Sequence, residues 1–310
     1  MPSLVSVIIP CHNQGKFLAD AIVSVLNQTY PHFECLVIND GSTDQTRDVA
    51  LTYAKQDSRV RYLEQANKGA ASARNLGLDH VQGAYVQFLD ADDAISSKKL
   101  EIQIGLLAET DNPALAYSDF YYCDEKGIPK TNPSDPFHPP TFVMEEPLWD
   151  MVSRWETQLS IPIHCFLFDR RFFMNHNVRF DLNLPTHMDW DCWIQIFSLD
   201  PTIKSTNEKL AFYRHTSGSL TKNEKLMWIG YYRVIQKYKK SYKDNVILSN
   251  LLDKKLEEGK NRYRPYRWIV PKLAGRVLGK INFQKRRKDV LKLLDVIFDF
   301  IMVTRWLKNS

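Results

Sequence analysis

The side chains best placed for chemistry in this 310-residue chain are the carboxylates of Asp90-Ala91-Asp92-Asp93, which follow the apolar run Ala84 to Leu89. Carboxylates this close repel one another unless a cation sits among them. A hard divalent ion, manganese or magnesium, suits such a cluster, because it keeps part of its water shell and can hold a diphosphate at the same time. The simpler alternative is that Asp92 or Asp93 caps the helix that follows. Two further polar clusters end apolar runs in the same way: Pro10-Cys11-His12-Asn13 after Leu4 to Ile9, and Asn39-Asp40-Gly41-Ser42 after Phe33 to Ile38. Gly15-Lys16 lacks the flanking glycines of a phosphate loop and no Gly-x-Gly-x-x-Gly occurs, so metal and basic side chains would have to hold phosphate.

The elements that position these clusters are legible from periodicity. Leu4 to Ile9, Phe33 to Ile38, Val60 to Leu63, Ala84 to Leu89 and Ala114 to Tyr122 are short apolar runs of the kind that form strands covered on both faces. Pro10 is expected to close the first. Helical spacing recurs between them, through Phe17, Leu18, Ala21, Ile22, Val25 and Leu26, again around Val49 to Ala54, from Ala70 to Leu78, and from Lys99 to Ala108. Strand and helix in alternation predict an α/β fold with a mostly parallel sheet flanked by helices. Ligands in such folds bind beyond the carboxyl ends of the strands, where all three polar clusters fall. The Pro-rich stretch from Lys126 to Glu146 reads as a long surface loop between two halves. Beyond it a strand is expected over Ile161 to Phe168, a helix over Trp190 to Phe197, and helix again from Leu226 onward.

Five blocks of residues, in order, resemble the family 2 glycosyltransferases: Pro10 to Asn13, Ala21 to Tyr30, Ile38 to Asp44, Asn67 to Gly77 and Leu89 to Asp93. The likeness is close over about residues 4–125 and thins toward 220. It implies a GT-A fold, a nucleotide-binding α/β half over 1–125 joined to an acceptor half over 126–220, with 221–310 as a basic helical C-terminal extension. It implies an inverting, metal-dependent enzyme that moves a sugar from a nucleoside-diphosphate donor, expected to be a UDP-sugar, to a glycan or lipid-linked hydroxyl. Carried over by position, Asp40 would bond the uracil ring and Pro10 to Asn13 would flank the base. Arg74 would lie near the base or diphosphate, Asp90 would contact ribose or a metal-bound water, and Asp92 would ligate the metal. Read without the likeness, Asp40 is a turn residue before Gly41, Asn13 a helix cap and Arg74 a surface arginine on a helix.

In the second half the family usually carries a Glu-Asp pair before a Trp-rich helix. The matching stretch here is Thr186-His187-Met188-Asp189-Trp190-Asp191-Cys192-Trp193, which makes Asp189 the expected general base and puts Met188 where the Glu would stand. Asp191 is the runner-up. Tyr213 to Ser219 resembles the Tyr-Arg-x-His segment of these enzymes, by which His215 would reach the metal or diphosphate; the plainer reading is an exposed loop histidine. His164 is either a lining of the acceptor cleft or a buried core histidine.

Two other functions compete. A catalytically idle nucleotide-sugar-binding scaffold would keep the donor fold, and Met188 favours it. A sugar-phosphate nucleotidyltransferase would want a Gly-rich basic signature near the N-terminus, which is missing. Five widely spaced cysteines without a Cys-x-x-Cys pair predict buried thiols in a reducing, cytoplasmic setting, and no 18-residue uncharged apolar run predicts a membrane span. The net charge of +5 is uneven: thirteen Lys/Arg against two Glu between Lys254 and Lys288 give a local +11, which taken from the total leaves −6 elsewhere. That basic run precedes an apolar helix expected from about Asp289 to Trp306, which would pack on its own domain or contact an anionic membrane surface peripherally. Nucleic acid is not expected, because no recognition motif accompanies the charge.

Overall fold

Apolar runs punctuated by turn residues fold here into one sheet with helices on both faces. A computed structural model describes residues 2–263, except 109, 111, 131–139, 145 and 217. The first part runs β1 (Val5–Cys11), α1 (Gly15–Leu26), β2 (Phe33–Asp40), α2 (Thr46–Gln56), β3 (Val60–Gln65), α3 (Ala70–His80) and β4 (Tyr85–Phe88). Then come β5 (Ala94–Ile95), α4 (Lys99–Leu107), β6 (Ala114–Cys123) and α5 (Pro147–Ser153). The last part holds β7 (Phe166–Asp169), α6 (Arg171–Met174), α7 (Met188–Phe197), β8 (Thr202–Arg214), α8 (Glu224–Ser241) and α9 (Val246–Tyr263).

The strands form one sheet in the order β3-β2-β1-β4-β7-β6-β8-β5. From β3 to β4 every neighbour is parallel. Beyond that the sheet is mixed: β7 runs antiparallel to β4 and β6, β6 and β8 are parallel, and β5 is antiparallel to β8. Side-chain parity separates two cores, as the two-residue period of a strand requires. Val5, Val7 and Ile9 of β1 and Cys35 and Val37 of β2 face α1, α2 and α4. Ile8, Leu36 and Ile38 face the other side, where α3, α7, α8 and α9 pack. Gly77 of α3 permits that contact, since a Cβ there would lie 2.5 Å from Ile8 Cγ2. The described part of the expected C-terminal extension therefore shares the domain's own core, through Trp228, Tyr231, Val234, Ile235, Leu252 and Leu256.

Several local expectations change. The first strand continues through Pro10 to Cys11, paired with β2. Ile8 directs its carbonyl toward β4, accepting from Leu89 N at 3.0 Å. Pro10 shares that parity and lies beyond the paired part of β4, so its missing N–H costs no ladder bond. Over the strand expected at Ile161 to Phe168, Pro162 begins a 3₁₀ turn at Ile163–Cys165, and only β7 is extended. After the stretch expected to be loop up to Glu146 comes α5, a helix with no counterpart among the expected elements, which starts at Pro147, a residue suited to a first helical turn. The 13-residue β8 had no apolar signal, because β5 covers only its Ala211 and Phe212 and much of the rest is a polar strand edge bearing Lys204, Glu208 and Lys209. The helix expected over Asp289 to Trp306 lies outside the described residues. All five cysteines are buried free thiols.

Candidate functional site

Parallel strands deliver their carboxyl ends to one edge of the sheet, and there three loops are tied together. Asp40, the last residue of β2, is buried, and its carboxylate accepts from Gln65 Nε2 at 2.7 Å, Lys68 N at 2.8 Å and Gly69 N at 2.8 Å. Gly41 follows with φ of +65°, and a Cβ there would sit 2.7 Å from Asn67 N, so only glycine lets the second and third loops touch. His12, after β1, places Nδ1 2.7 Å from the Asp40 carbonyl oxygen. With that nitrogen donating, Nε2 accepts from Asn67 Nδ2 at 3.2 Å and Asn13 Nδ2 at 3.3 Å. Asn13 does not cap the first helix, whose N-cap is Gln14. With φ of 52°, it accepts from Thr43 N at 2.8 Å, and its own N–H donates to Ser42 Oγ at 2.9 Å.

The acidic turn lies after β4. Asp90 accepts from Arg74 Nη2 at 2.6 Å. Asp93 is buried and accepts from the Arg214 N–H at 2.7 Å, and the fully buried His164 ring lies 3.1 Å from its other oxygen. His164 is therefore a core histidine beneath the turn. Asp92 is the carboxylate left without a strong partner: Thr216 Oγ1 donates to it at 3.4 Å. Burial, then repulsion from Asp93 and Asp90, push its carboxyl up to about 7. A half-buried carboxylate crowded by like charges is a place where a cation is favourable, so Asp92 and its neighbours fit a hard divalent ion. Among the described residues no group of three or more His, Cys, Asp or Glu is arranged to hold a metal alone. An ion here would complete its shell with donor oxygens and water, as magnesium-type ions do. His215, exposed at the end of β8, stacks on Tyr122 at 5.0 Å, next to the Thr216 that touches Asp92.

Arg74 connects this turn to the second half. It is buried on α3, not on the surface, and while Nη2 holds Asp90, Nη1 lies 3.3 Å from Met188 Sδ, at the first residue of α7. Asp189 comes next, where the free N–H groups and partial positive charge of a helix N-terminus favour a carboxylate. Its Oδ1 accepts from Trp190 N at 2.8 Å. Burial raises the Asp189 carboxyl, with His187 and Arg74 opposing and Glu156 adding to the rise. The runner-up, Asp191, is buried against Lys237, which it meets at 2.8 Å, and it accepts from Gln195 Nε2 at 2.9 Å. That aspartate is a core ion pair.

The structure thus brings Asp90, Asp92, Arg74 and Asp189 into one linked series, and Asn13 and Asp40 into the adjoining loop cluster, while Pro10 stays in β1, paired with Ile38. Sequence reasoning gave no role to Thr216, His187 or Glu156. Thr216 and His187 lay inside recognised segments; Glu156, in a stretch without periodicity, carried no signal.

The same architecture occurs in solved glycosyltransferases of the GT-A fold. TarS residues 1–349 from S. aureus in complex with UDP-GlcNAc superposes with a TM-score of 0.61 at 18% identity, over 90% of this chain and 77% of that one. The mannosyltransferase PcManGT of Pyrobaculum calidifontis, in complex with GDP-Man and Mn2+, gives a TM-score of 0.57 at 14% identity, over 88% of this chain and 81% of that one. By sequence, TuaG of Bacillus subtilis, a glycosyltransferase named for teichuronic acid biosynthesis, is 32% identical over 234 residues, 71% of this chain and 82% of that protein. A Rickettsia bellii glycosyltransferase is 42% identical over 123 residues, and there the matched part is only 18% of the relative's length. The family model described as glycosyl transferase family 2 matches residues 6–175. The chain belongs to that family and is a glycosyltransferase. Among the described residues no helix is long and apolar enough to cross a membrane.

Proposed function

We propose that this glycosyltransferase takes a sugar from a nucleoside-diphosphate donor, a UDP-sugar first among candidates, and passes it with inversion to a hydroxyl of a glycan or lipid-linked acceptor. The observation that carries this is the run from Asp92 through Asp90 and Arg74 to Met188 and Asp189, which joins an anion-crowded turn to a carboxylate at a helix start. The ends of β1 and β2, with Pro10 and Asp40, and the loop bearing Asn13 would form the wall for the base. Asp40 has most of its hydrogen-bonding capacity engaged by the 65–69 segment, so its share in base recognition runs through the loop it shapes and its remaining lone pairs. Asp92, with Asp90 and His215 nearby, would hold the divalent ion, manganese or magnesium. Such an ion, when bound, neutralises charge on the departing diphosphate, an effect worth several kcal/mol.

Asp189 acts as general base. The acceptor oxygen forms its bond to the anomeric carbon as the bond from that carbon to the diphosphate oxygen breaks. The hydroxyl proton goes to Asp189, and the nucleoside diphosphate leaves with the bonding pair. Attack in line with the leaving group inverts the anomeric centre. Its raised carboxyl suits the task, because a base of higher pKa has more drive to take a proton.

Titration calorimetry with UDP, with and without manganese, tests the donor half: binding that strengthens with the metal is expected, and absence of nucleotide binding sinks the reading. A hydrolysis screen of nucleotide sugars then names the donor. Met188 favours an idle binding protein as second reading, and the same screen decides it, because that protein would bind a donor and turn none over.

A further inference from the structure

Two residues beside Asp189 carry an arrangement that the reading above leaves unused. His187, the residue before α7, has φ of 59°, and Glu156 has φ of 60°. Left-handed backbone at residues with bulky side chains is strained and persists where surrounding contacts hold it. These two strained residues, 31 positions apart, meet: His187 Nε2 lies 3.1 Å from Glu156 Oε1. The ring is buried, with Trp190 and Tyr231 edge-on to it at 6.0 and 5.6 Å. On its other side Nδ1 lies 3.0 Å from Thr186 Oγ1, whose hydroxyl donates to the Leu226 carbonyl at 3.0 Å. A hydroxyl committed in that way can only accept from Nδ1–H, and a carboxylate can only accept from Nε2–H. Two acceptors match the charged ring, which donates from both nitrogens.

Glu156 is itself anchored. Tyr263 Oη donates to its Oε2 at 3.0 Å, and Arg262 Nη1 donates to its backbone carbonyl at 2.6 Å. Although burial works to raise it, the His187 ring, then Arg262 and Tyr263, hold the Glu156 carboxyl at about 2. The last turn of α9 therefore fixes Glu156, Glu156 fixes His187, and His187 sets the first turn of α7, where Asp189 begins. Met188 brings no charge to this turn. The charged groups acting on Asp189 are His187 on its own segment, Arg74 from α3 and Glu156 from the segment after α5. Asp90 is taken up by Arg74.

We infer that Glu156 and His187 form a positioning pair for the base: the ring, held from both sides, fixes the start of α7 and sets a positive charge beside the Asp189 carboxylate. Neither residue accepts the hydroxyl proton, which goes to Asp189. The inference rests on Asp189 being the base.

The test is the pH dependence of transfer by the full chain. In His187→Asn the substituted residue tolerates left-handed backbone and carries no charge. Its acid limb of kcat is expected to move up by about one pH unit, because the opposing positive charge is gone. The KM for the donor should stay as in the unchanged protein. A purely structural role lowers Tm and leaves the limb where it was, and that result overturns the inference. Glu156→Gln reports independently if the first variant does not fold: kcat should fall about threefold or more at constant donor KM, and an unchanged kcat overturns the pair. Asp189→Asn separates the two claims. If it is inactive while His187→Asn keeps the original profile, only the pair fails; if it stays active, the base assignment fails.

Discussion

The loop cluster around Asp40 and the helix start around Asp189 each hold a carboxylate, buried in the first and half-buried in the second, and they hold it by different means. Asp40 is gripped by one short segment: two backbone N–H groups and one amide side chain, all within residues 65–69. Asp189 takes one local backbone bond, from Trp190, and otherwise answers to the charges of three side chains, the ring of His187 on its own segment, Arg74 from α3 and Glu156 from the segment after α5. The first arrangement is geometric. Each donor has a fixed direction, so the carboxylate sets loop shape. The second is electrostatic. Charges at several distances set how readily the carboxylate gives up or takes a proton, which is the property a base needs.

If that contrast is right, removing the Asp189 charge should strike rate alone. In Asp189→Asn transfer is expected to fall by about 10²–10⁴-fold, with UDP affinity by calorimetry unchanged; a comparable loss of affinity would place this residue in the donor site instead. Asp92 belongs to neither kind, since like charges surround it. Its carboxyl sits at about 7 rather than 3.8, so the metal-free fold loses stability as pH rises through that window, where the unfolded chain is already ionised. Asp92→Asn should accordingly raise the Tm of the metal-free protein at pH 8 by roughly 2–4 °C, and abolish the further rise that manganese with UDP gives the unchanged protein. A lower Tm in the metal-free variant would contradict the like-charge account.

The Asp40 cluster should break by a different route. Asp40→Asn turns one acceptor oxygen into a donor, so at least one N–H of the 65–69 segment loses its partner. The expected cost is about 1–3 kcal/mol in urea unfolding, together with weaker nucleotide binding. A stable variant that loses only nucleotide affinity would show that the carboxylate faces ligand more than loop. Gly41→Ala should cost somewhat less, about 1–2 kcal/mol. It adds a Cβ 2.7 Å from Asn67 N at a φ of +65°, and the same unfolding curves would show it.

The same contrast explains what was readable in advance. Apart from the two-residue β5, the strands and helices from β1 to α4 follow from apolar period and turn residues, because both faces of the sheet there are covered. The Asp40 cluster was legible because Ile38 to Asp44 and Asn67 to Gly77 each form a contiguous block of the family pattern, although the partners themselves lie 25 to 29 residues apart. β8 was not: along a polar strand edge the ladder with β6 supplies the order, and no apolar pattern is required. Nor was Glu156, whose partners lie 31, 106 and 107 residues away. Asp191 could not be told from Asp189 by type or spacing, and only the packing of α7 on α8 turned it toward Lys237.

What the sequence alone determined is the family and the alternating fold, because both rest on contiguous blocks whose period and turn chemistry act over a few residues. Which carboxylates remain available was decided by tertiary structure. Burial, like charge and the reach of distant side chains set the state of Asp92 and Asp189, and those depend on which helix ends meet in space.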